Sequence, residues 1–265
     1  MRSGSAPTRT TSAARACRSR RVAQYDAIAG AYRDSKQLPF RKAIERYTLF
    51  EALGDVRGLT LLDLACGAGF YTRLLKRAGA AGVTGIDVSA EMVRLAEREE
   101  ARDPLGCSFL CRDVADFEPQ PGAADLVVAM YLLHYAGTPA KLLRFLRVCH
   151  DALRPGGRIV GFNDNVLRPP RGTVSWRQYG LEKTGPLSAP NEGDPIHYRF
   201  TNPDGGQFEF HNFFLKPETY DDAFRETGFR DFRWLGVSLE PDERNNPFWD
   251  DFLANPPVIA YAATK

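Results

Sequence analysis

Asp63 lies inside an apolar run, "LLDLACGAGF", and Gly67 and Gly69 follow it closely. A carboxylate beneath a glycine turn suits a ligand that is cationic at that point, and the glycines let backbone lie against it. Two further acids are placed alike: Asp87 ends "GVTGID" and Asp113 ends "CSFLCRD". One such Asp is often only a helix cap. Three in succession, with a glycine turn after the first, point to one shared ligand. A fourth apolar run, "ADLVVAMYLL", leads into Tyr131, His134 and Tyr135. Histidine titrates near neutral pH, so His134 is a candidate to take a proton or to orient a partner, with Tyr131 beside it.

The elements that must position these residues alternate. Apolar runs over 59–65, 82–88, 107–114, 124–133 and 158–164 read as strands. Helices are expected between them, with Ser89 as an N-cap and Pro155-Gly156-Gly157 stopping the helix over 139–153. Strands that are apolar throughout imply a mostly parallel, doubly wound α/β sheet covered on both faces. Such sheets bind ligands at the carboxyl ends of their strands. The sequence divides into a basic tail (1–21), N-terminal helices (22–57), a core (58–165), an inserted cap (166–215), and a helix with closing strands (216–265). Within the cap, 166–194 looks irregular and "IHYRF…FEFHNFF" reads as an antiparallel hairpin. Its alternation offers an aromatic face with Tyr198, expected as a floor for a flat heterocycle, and a polar face with His211.

A strand, a glycine turn and a helix make a generic nucleotide site. A dinucleotide needs G-x-G-x-x-G/A, with a small third residue, yet Thr72 stands there. S-adenosylmethionine has no phosphate and carries an ammonium, a sulfonium and a ribose. Asp63 then pairs with the ammonium, Asp87 accepts from the ribose hydroxyls, and Asp113 accepts from the adenine amine. Ala65, Gly67 and Gly69 pass along the methionine part. Val88, Met92 and Val114 sandwich the adenine. The expected cofactor is S-adenosylmethionine, leaving as S-adenosylhomocysteine, with no metal. Methyl transfer then needs alignment and exclusion of water more than strong acid–base help.

"LLDLACGAGFYT", "VTGIDVSAEMV", "FLCRDVADF", "ADLVVAMYLLHY" and "LRPGGRIV" resemble, in order, the motifs of class I, Rossmann-like, S-adenosylmethionine-dependent methyltransferases. The resemblance implies a seven-stranded sheet with a reversed last strand, which Val258 to Ala262 could supply. It also implies that Arg41 binds the methionine carboxylate and that Tyr25 and Tyr32 close over the cofactor. "YDAIAGAYRDSKQLPFRKAIERYTLFEALGD", "FWDDF" and "PPVI" resemble the narrower group around toxoflavin synthase, which methylates a small azapteridine. That group often has Asn where this chain has His134. The likeness implies N-methylation of a heteroaromatic metabolite, with oxygen or carbon acceptors, or a non-catalytic cofactor-binding subunit, as alternatives. Tyr135, Asn163, Asn165, Tyr198, His211 and Trp249 are the residues expected to meet the acceptor.

Composition narrows the partners. The formal charge of +2 includes six arginines in the acid-free first 21 residues, so the remainder carries −4. That balance opposes nucleic-acid binding. No Asn/Asp-Pro-Pro-Tyr stretch follows the fourth strand, and no apolar run is long enough to span a bilayer. Five cysteines without a C-x-x-C pair suggest reduced thiols in the cytoplasm. The expected partner is a small-molecule acceptor, with the protein a monomer or homodimer and neither membrane nor nucleic acid involved.

Overall fold

The computed structural model describes residues 20–265. The expected tail lies outside them except for its last two residues, which open helix α1 (Arg20–Asp34). After a short turn, Arg41–Arg46 winds as a π-helix and runs into α2 (Tyr47–Leu53). The alternating core follows as β1 (Thr60–Leu64), α3 (Phe70–Arg77), β2 (Gly82–Asp87), α4 (Ala90–Arg102), β3 (Ser108–Cys111), β4 (Ala124–Met130), α5 (Pro139–Ala152) and β5 (Leu153–Asp164). The cap contributes β6 (Thr173–Trp176), β7 (Leu181–Thr184), β8 (Pro195–Thr201) and β9 (Gln207–Phe213). The chain closes with α6 (Pro217–Glu226), β10 (Arg230–Leu235), α7 (Asp250–Ala254) and β11 (Val258–Thr264).

Local chemistry sets the boundaries. Ser89 caps α4 by accepting from the Met92 N–H at 3.2 Å. Thr138 caps α5 by accepting from the Lys141 N–H at 3.2 Å, with Pro139 preset for the first turn. The Pro155-Gly156-Gly157 stretch does not stop α5. That helix ends at Ala152, and the glycines lie within β5.

The seven-stranded sheet has the order β10-β11-β5-β4-β1-β2-β3. β1, β2, β3, β4 and β5 pair in parallel, and β11 runs antiparallel to both of its neighbours. This is the doubly wound α/β sheet expected, with the reversed strand where it was placed. β4 buries six of its seven residues, as a strand covered on both faces must.

The cap differs from expectation. Residues 166–194 are not wholly irregular, because β6 and β7 extend the hairpin into a four-stranded antiparallel sheet, β6-β7-β8-β9. Burial of the polar residues Glu182 and Lys183 on β7 hides the alternation that would have marked a strand. The Lys183 ammonium donates to Asp164 at the end of β5 and to the Pro257 carbonyl ahead of β11. The Trp176 indole donates to the Asn255 carbonyl at 2.9 Å. Phe200, Phe208 and Phe210 stack nearly parallel on the face of the cap that meets α1. There Tyr25 packs on Phe210 at 5.7 Å between ring centroids, and Tyr32 on Phe208 at 6.1 Å. The aromatic face is therefore a seam between cap and α1, not an open floor for a ring.

Candidate functional site

The carboxyl ends of the central strands open into a cavity of about 360 Å³, roofed by α1. Such a volume suits a small molecule. Of the residues expected to hold a cofactor, Tyr25, Tyr32, Ala65, Gly67, Asp87, Val88, Met92, Asp113, Val114 and Tyr131 all line it. From the acceptor set, Tyr135 and His211 do so as well. Two neighbouring strands, β1 and β4, each run into a left-handed non-glycine residue: Ala65 at φ 60° and Tyr131 at φ 65°. Such backbone costs of order 1–3 kcal/mol and persists where its surroundings hold it. The Tyr131 N–H donates to the Phe162 carbonyl at 2.8 Å, which fixes the second of the two.

Asp87 binds the turn as well as facing the cavity. Its carboxylate accepts from the Gly67 N–H at 2.8 Å and the Ser89 N–H at 2.9 Å. Burial raises its pKa. Asp87→Ala is therefore expected to weaken cofactor binding and also to lower the melting temperature. Each buried N–H left without an acceptor costs about 1–3 kcal/mol. Calorimetry together with a thermal melt checks both, and an unchanged melt would remove the turn-holding role. Asp113 accepts from the Ala115 N–H at 2.9 Å, so it caps a turn from the cavity wall.

Asp63 is fully buried beneath the turn. The Thr72 hydroxyl donates to its Oδ2 at 2.6 Å, so the residue that spoils a dinucleotide fingerprint here steadies the carboxylate. Its Oδ1 has no partner. Asp63, Lys36 and Gly67 line a smaller cavity of about 30 Å³ that shares Tyr32, Ala65, Gly67 and Met130 with the main one. Burial pushes the Asp63 carboxyl up to about 7. A buried acceptor without a donor is costly, and a cationic ammonium is what would satisfy it best. The amino-acid end of S-adenosylmethionine fits that requirement.

Gly69 does not line the cavity. It adopts φ 78° at the start of α3, and a Cβ there would stand 2.8 Å from the Phe109 ring. It serves the close approach of the turn to Phe109 on β3 rather than contact with a ligand.

Arg41 also lies away from the main cavity. It is 3% exposed and ion-paired with Glu45, which is fully buried. Glu45 further accepts from the hydroxyls of Tyr71 and Tyr131, and Lys36 stands 3.7 Å from it. Burial works against the Glu45 charge, but Arg41 and then Lys36 outweigh it and hold the carboxyl below its usual range. Burial, then the charge of Arg41, pushes the Lys36 ammonium down to about 7. Lys36 sits 4.9 Å from the Tyr71 ring centroid and 5.4 Å from that of Tyr32. Sequence reasoning missed Lys36 and Glu45. The i, i+4 spacing of Arg41 and Glu45 was the available signal.

His134 is buried behind the main cavity. Its Nδ1 faces the Asn212 amide at 2.8 Å and the Asp164 N–H at 3.4 Å. Burial, then the charge of Lys183, holds the ring well below 6.5, so it is neutral. Its Nε2 has no hydrogen-bond partner. His134 lines a small inner chamber and not the main cavity where the acceptor is expected. Tyr198 stands in the same inner chamber. Asn163 donates to the Tyr220 hydroxyl at 2.9 Å and Asn165 to the Pro256 carbonyl at 2.8 Å, both outside the cavity. Trp249 is likewise an anchor, stacked on Tyr179 at 5.5 Å.

Among the described residues no group of three or more His, Cys, Asp or Glu side chains could hold a metal ion, and no helix is long and apolar enough to cross a membrane.

Comparison with known proteins follows the same division. Residues 61–157 match the family model described as a methyltransferase domain. The ubiquinone biosynthesis O-methyltransferase of Sodalis glossinidius is 29% identical over 155 residues, which is 57% of this chain and 60% of that protein. The chain thus spans less than two thirds of that relative's length. A solved S-adenosylmethionine-dependent methyltransferase from Mesorhizobium loti superposes with a TM-score of 0.61 at 20% identity, covering 83% of this chain and 97% of that one. The DhpI–SAM–HEP complex gives 0.59 at 23% identity, over 92% and 95%. These two likenesses speak for the fold. Residues 61–157 thus resemble a methyltransferase domain, and the chain has the Rossmann-like fold of the solved S-adenosylmethionine-dependent methyltransferases it superposes on.

Proposed function

We propose that this protein is an S-adenosylmethionine-dependent methyltransferase of a small, flat ring compound, acting at a ring nitrogen. The observation that carries the cofactor is the fully buried Asp63, with one carboxylate oxygen unpartnered beneath the glycine turn. Bound S-adenosylmethionine would supply a methyl group already activated by its sulfonium. Asp63 takes the ammonium, Asp87 the ribose and Asp113 the adenine edge, while Tyr25 and Tyr32 on α1 keep water out. The acceptor enters beside Tyr135 and His211. Nitrogen is favoured by the likeness to the toxoflavin synthase group. Oxygen is the second reading, favoured by the names of relatives such as the ubiquinone-pathway protein. The four described cysteines are free thiols, which supports a reducing, cytoplasmic setting.

The test is calorimetry of the purified chain with S-adenosylmethionine and with NAD in parallel. A turnover screen against heteroaromatic metabolites follows, read as S-adenosylhomocysteine release and by the position of the new methyl. Binding of the first ligand and not the second is expected, with methyl on ring nitrogen. Preference for NAD would overturn the reading. Methyl found on oxygen would leave the enzyme class standing and replace the acceptor atom.

A further inference from the structure

Lys36 lines the same smaller cavity as Asp63. Its ammonium lies 4.9 Å from the centre of the Tyr71 ring and 5.4 Å from that of Tyr32, and both rings line that cavity too. The charges of Lys36 and Asp63 are near enough for each to favour the other. Lys36 stands on a short turn, Ser35–Gln37, in which the fully buried Ser35 donates its hydroxyl to the Tyr32 carbonyl at 2.6 Å. Its stem therefore starts from fixed backbone. Arg41, the cation that the family resemblance would bring to this end of the cofactor, lines neither this cavity nor the main one. Its guanidinium is paired with Glu45. Arg33 lines the smaller cavity, but its side chain is 53% exposed and pairs with Asp34 at 2.8 Å.

An ammonium has three donors. Glu45, which faces Lys36, already accepts from Arg41, Tyr71 and Tyr131, and it stands 3.7 Å from the ammonium, beyond hydrogen-bond length. A buried cation so loosely matched favours a further anion at hand. The cavity, at about 30 Å³, has room for about two water-sized groups. Its walls offer one carboxylate with an unpartnered oxygen, Asp63, and one ammonium, Lys36. A zwitterion satisfies both at once, whereas an ammonium alone would meet Lys36 as a like charge. Resting on the proposed methyltransferase reading, we infer that Lys36, and not Arg41, holds the carboxylate of the cofactor's amino-acid end. Asp63 takes the ammonium of the same head. Arg41 is then a positioning residue, fixing Glu45 and through it the hydroxyls of Tyr71 and Tyr131. The protein should therefore tell S-adenosyl compounds that keep the carboxylate from those that have lost it.

The experiment is calorimetry on the full chain at one neutral pH. Two probes are titrated: S-adenosylhomocysteine, and its decarboxylated form, which keeps the ammonium and lacks the carboxylate. Both carry the ammonium, so any effect of Lys36 on Asp63 cancels in the ratio of the two affinities. The wild-type chain is expected to bind S-adenosylhomocysteine about tenfold or more tightly than the decarboxylated form, the worth of a hydrogen bond between charged groups. Lys36→Met keeps the stem and deletes the ammonium, and is expected to cut that ratio by about fivefold or more. Lys36→Gln, which deletes only the charge, is read in the same way should Lys36→Met fail to fold. Arg41→Lys keeps a cation for Glu45 and should leave the ratio within twofold of wild type. A wild-type ratio below tenfold overturns the inference, and so does a Lys36 variant that cuts the ratio by less than fivefold. A loss of the ratio in Arg41→Lys as large as that in the Lys36 variant overturns the exchange of roles between the two cations. Failure of the wild-type chain to bind either probe would instead count against the underlying methyltransferase reading, and is measured first.

Discussion

Glu45→Ala is expected to lower the melting temperature by roughly 6–20 °C, from the about 3–5 kcal/mol cost of leaving buried charge unpaired and the response of a domain of this size. One carboxylate faces Arg41 and Lys36 and accepts from Tyr71 and Tyr131. Its removal strands the guanidinium in the interior and frees two phenols, one of them on the left-handed residue that ends β4. The pH dependence carries a definite sign. The Glu45 pKa is lowered on folding, so its contribution is present above the ordinary glutamate range and is lost as pH falls through the lower folded value. The gap between wild type and variant should therefore narrow only in acid. Thermal melts of both proteins at neutral and acid pH check this. A shift below 2 °C at neutral pH would show that the cluster holds nothing together.

Asp63→Asn is expected to weaken S-adenosylmethionine binding by roughly 10–100-fold, the worth of a hydrogen bond to a charged group. Asparagine can still accept from Thr72, so the turn keeps its support. In the ligand-free protein the Asp63 carboxyl titrates near 7 because it is buried. Pairing with an ammonium requires the ionised form. Wild-type affinity should therefore fall as pH drops below about 7, by up to tenfold per unit, and the variant should lose that dependence on the Asp63 carboxyl. Lys36 titrates in the same range and its pKa is raised by the Asp63 charge, so the difference between the two profiles reports Asp63 together with its coupling to Lys36. For folding the sign reverses. A pKa raised from 3.8 to about 7 gives stability that is full below 3.8 and is lost as pH rises through 7. Calorimetry across pH 5 to 8 decides, and parallel profiles for the two proteins would remove Asp63 from the cofactor site.

Much of this site was legible in the sequence because it is built from strand ends. A short apolar run closed by Asp or Gly reports both a strand and the direction of its carboxyl end, so Asp63, Asp87 and Asp113 could be brought to one rim before any coordinates. Thr72 marked the wrong fingerprint for a dinucleotide, and its hydroxyl on Asp63 gives that mismatch a use. Helical residues were harder. Arg41 was assigned to the methionine carboxylate and its partners Lys36 and Glu45 were passed over, since helix spacing says which residues are neighbours and not whether the face is buried. β7 was missed for a related reason, because a lysine at 1% exposure breaks the apolar pattern that signals a strand. The aromatic face of the hairpin was found, but its partner was misjudged. Alternation along β8 and β9 shows that one side is covered, and cannot say that α1 covers it.

The fastening of β7 by Lys183 has a consequence for how any nucleoside could get in and out. Asp164 and the Pro257 carbonyl hold that ammonium at the junction of β5 and β11, so the four-stranded sheet cannot pivot without baring a buried ion pair. The rest of the enclosure is α1, which meets the cap through Tyr25, Tyr32 and the Asn202 amide donating to the Ala31 carbonyl at 2.9 Å, and meets α4 through the Ser89 hydroxyl donating to Asp26 at 2.5 Å. Moving α1 aside would therefore break those ring contacts and both hydrogen bonds, whereas moving the four-stranded sheet would also expose the ion pair of Lys183.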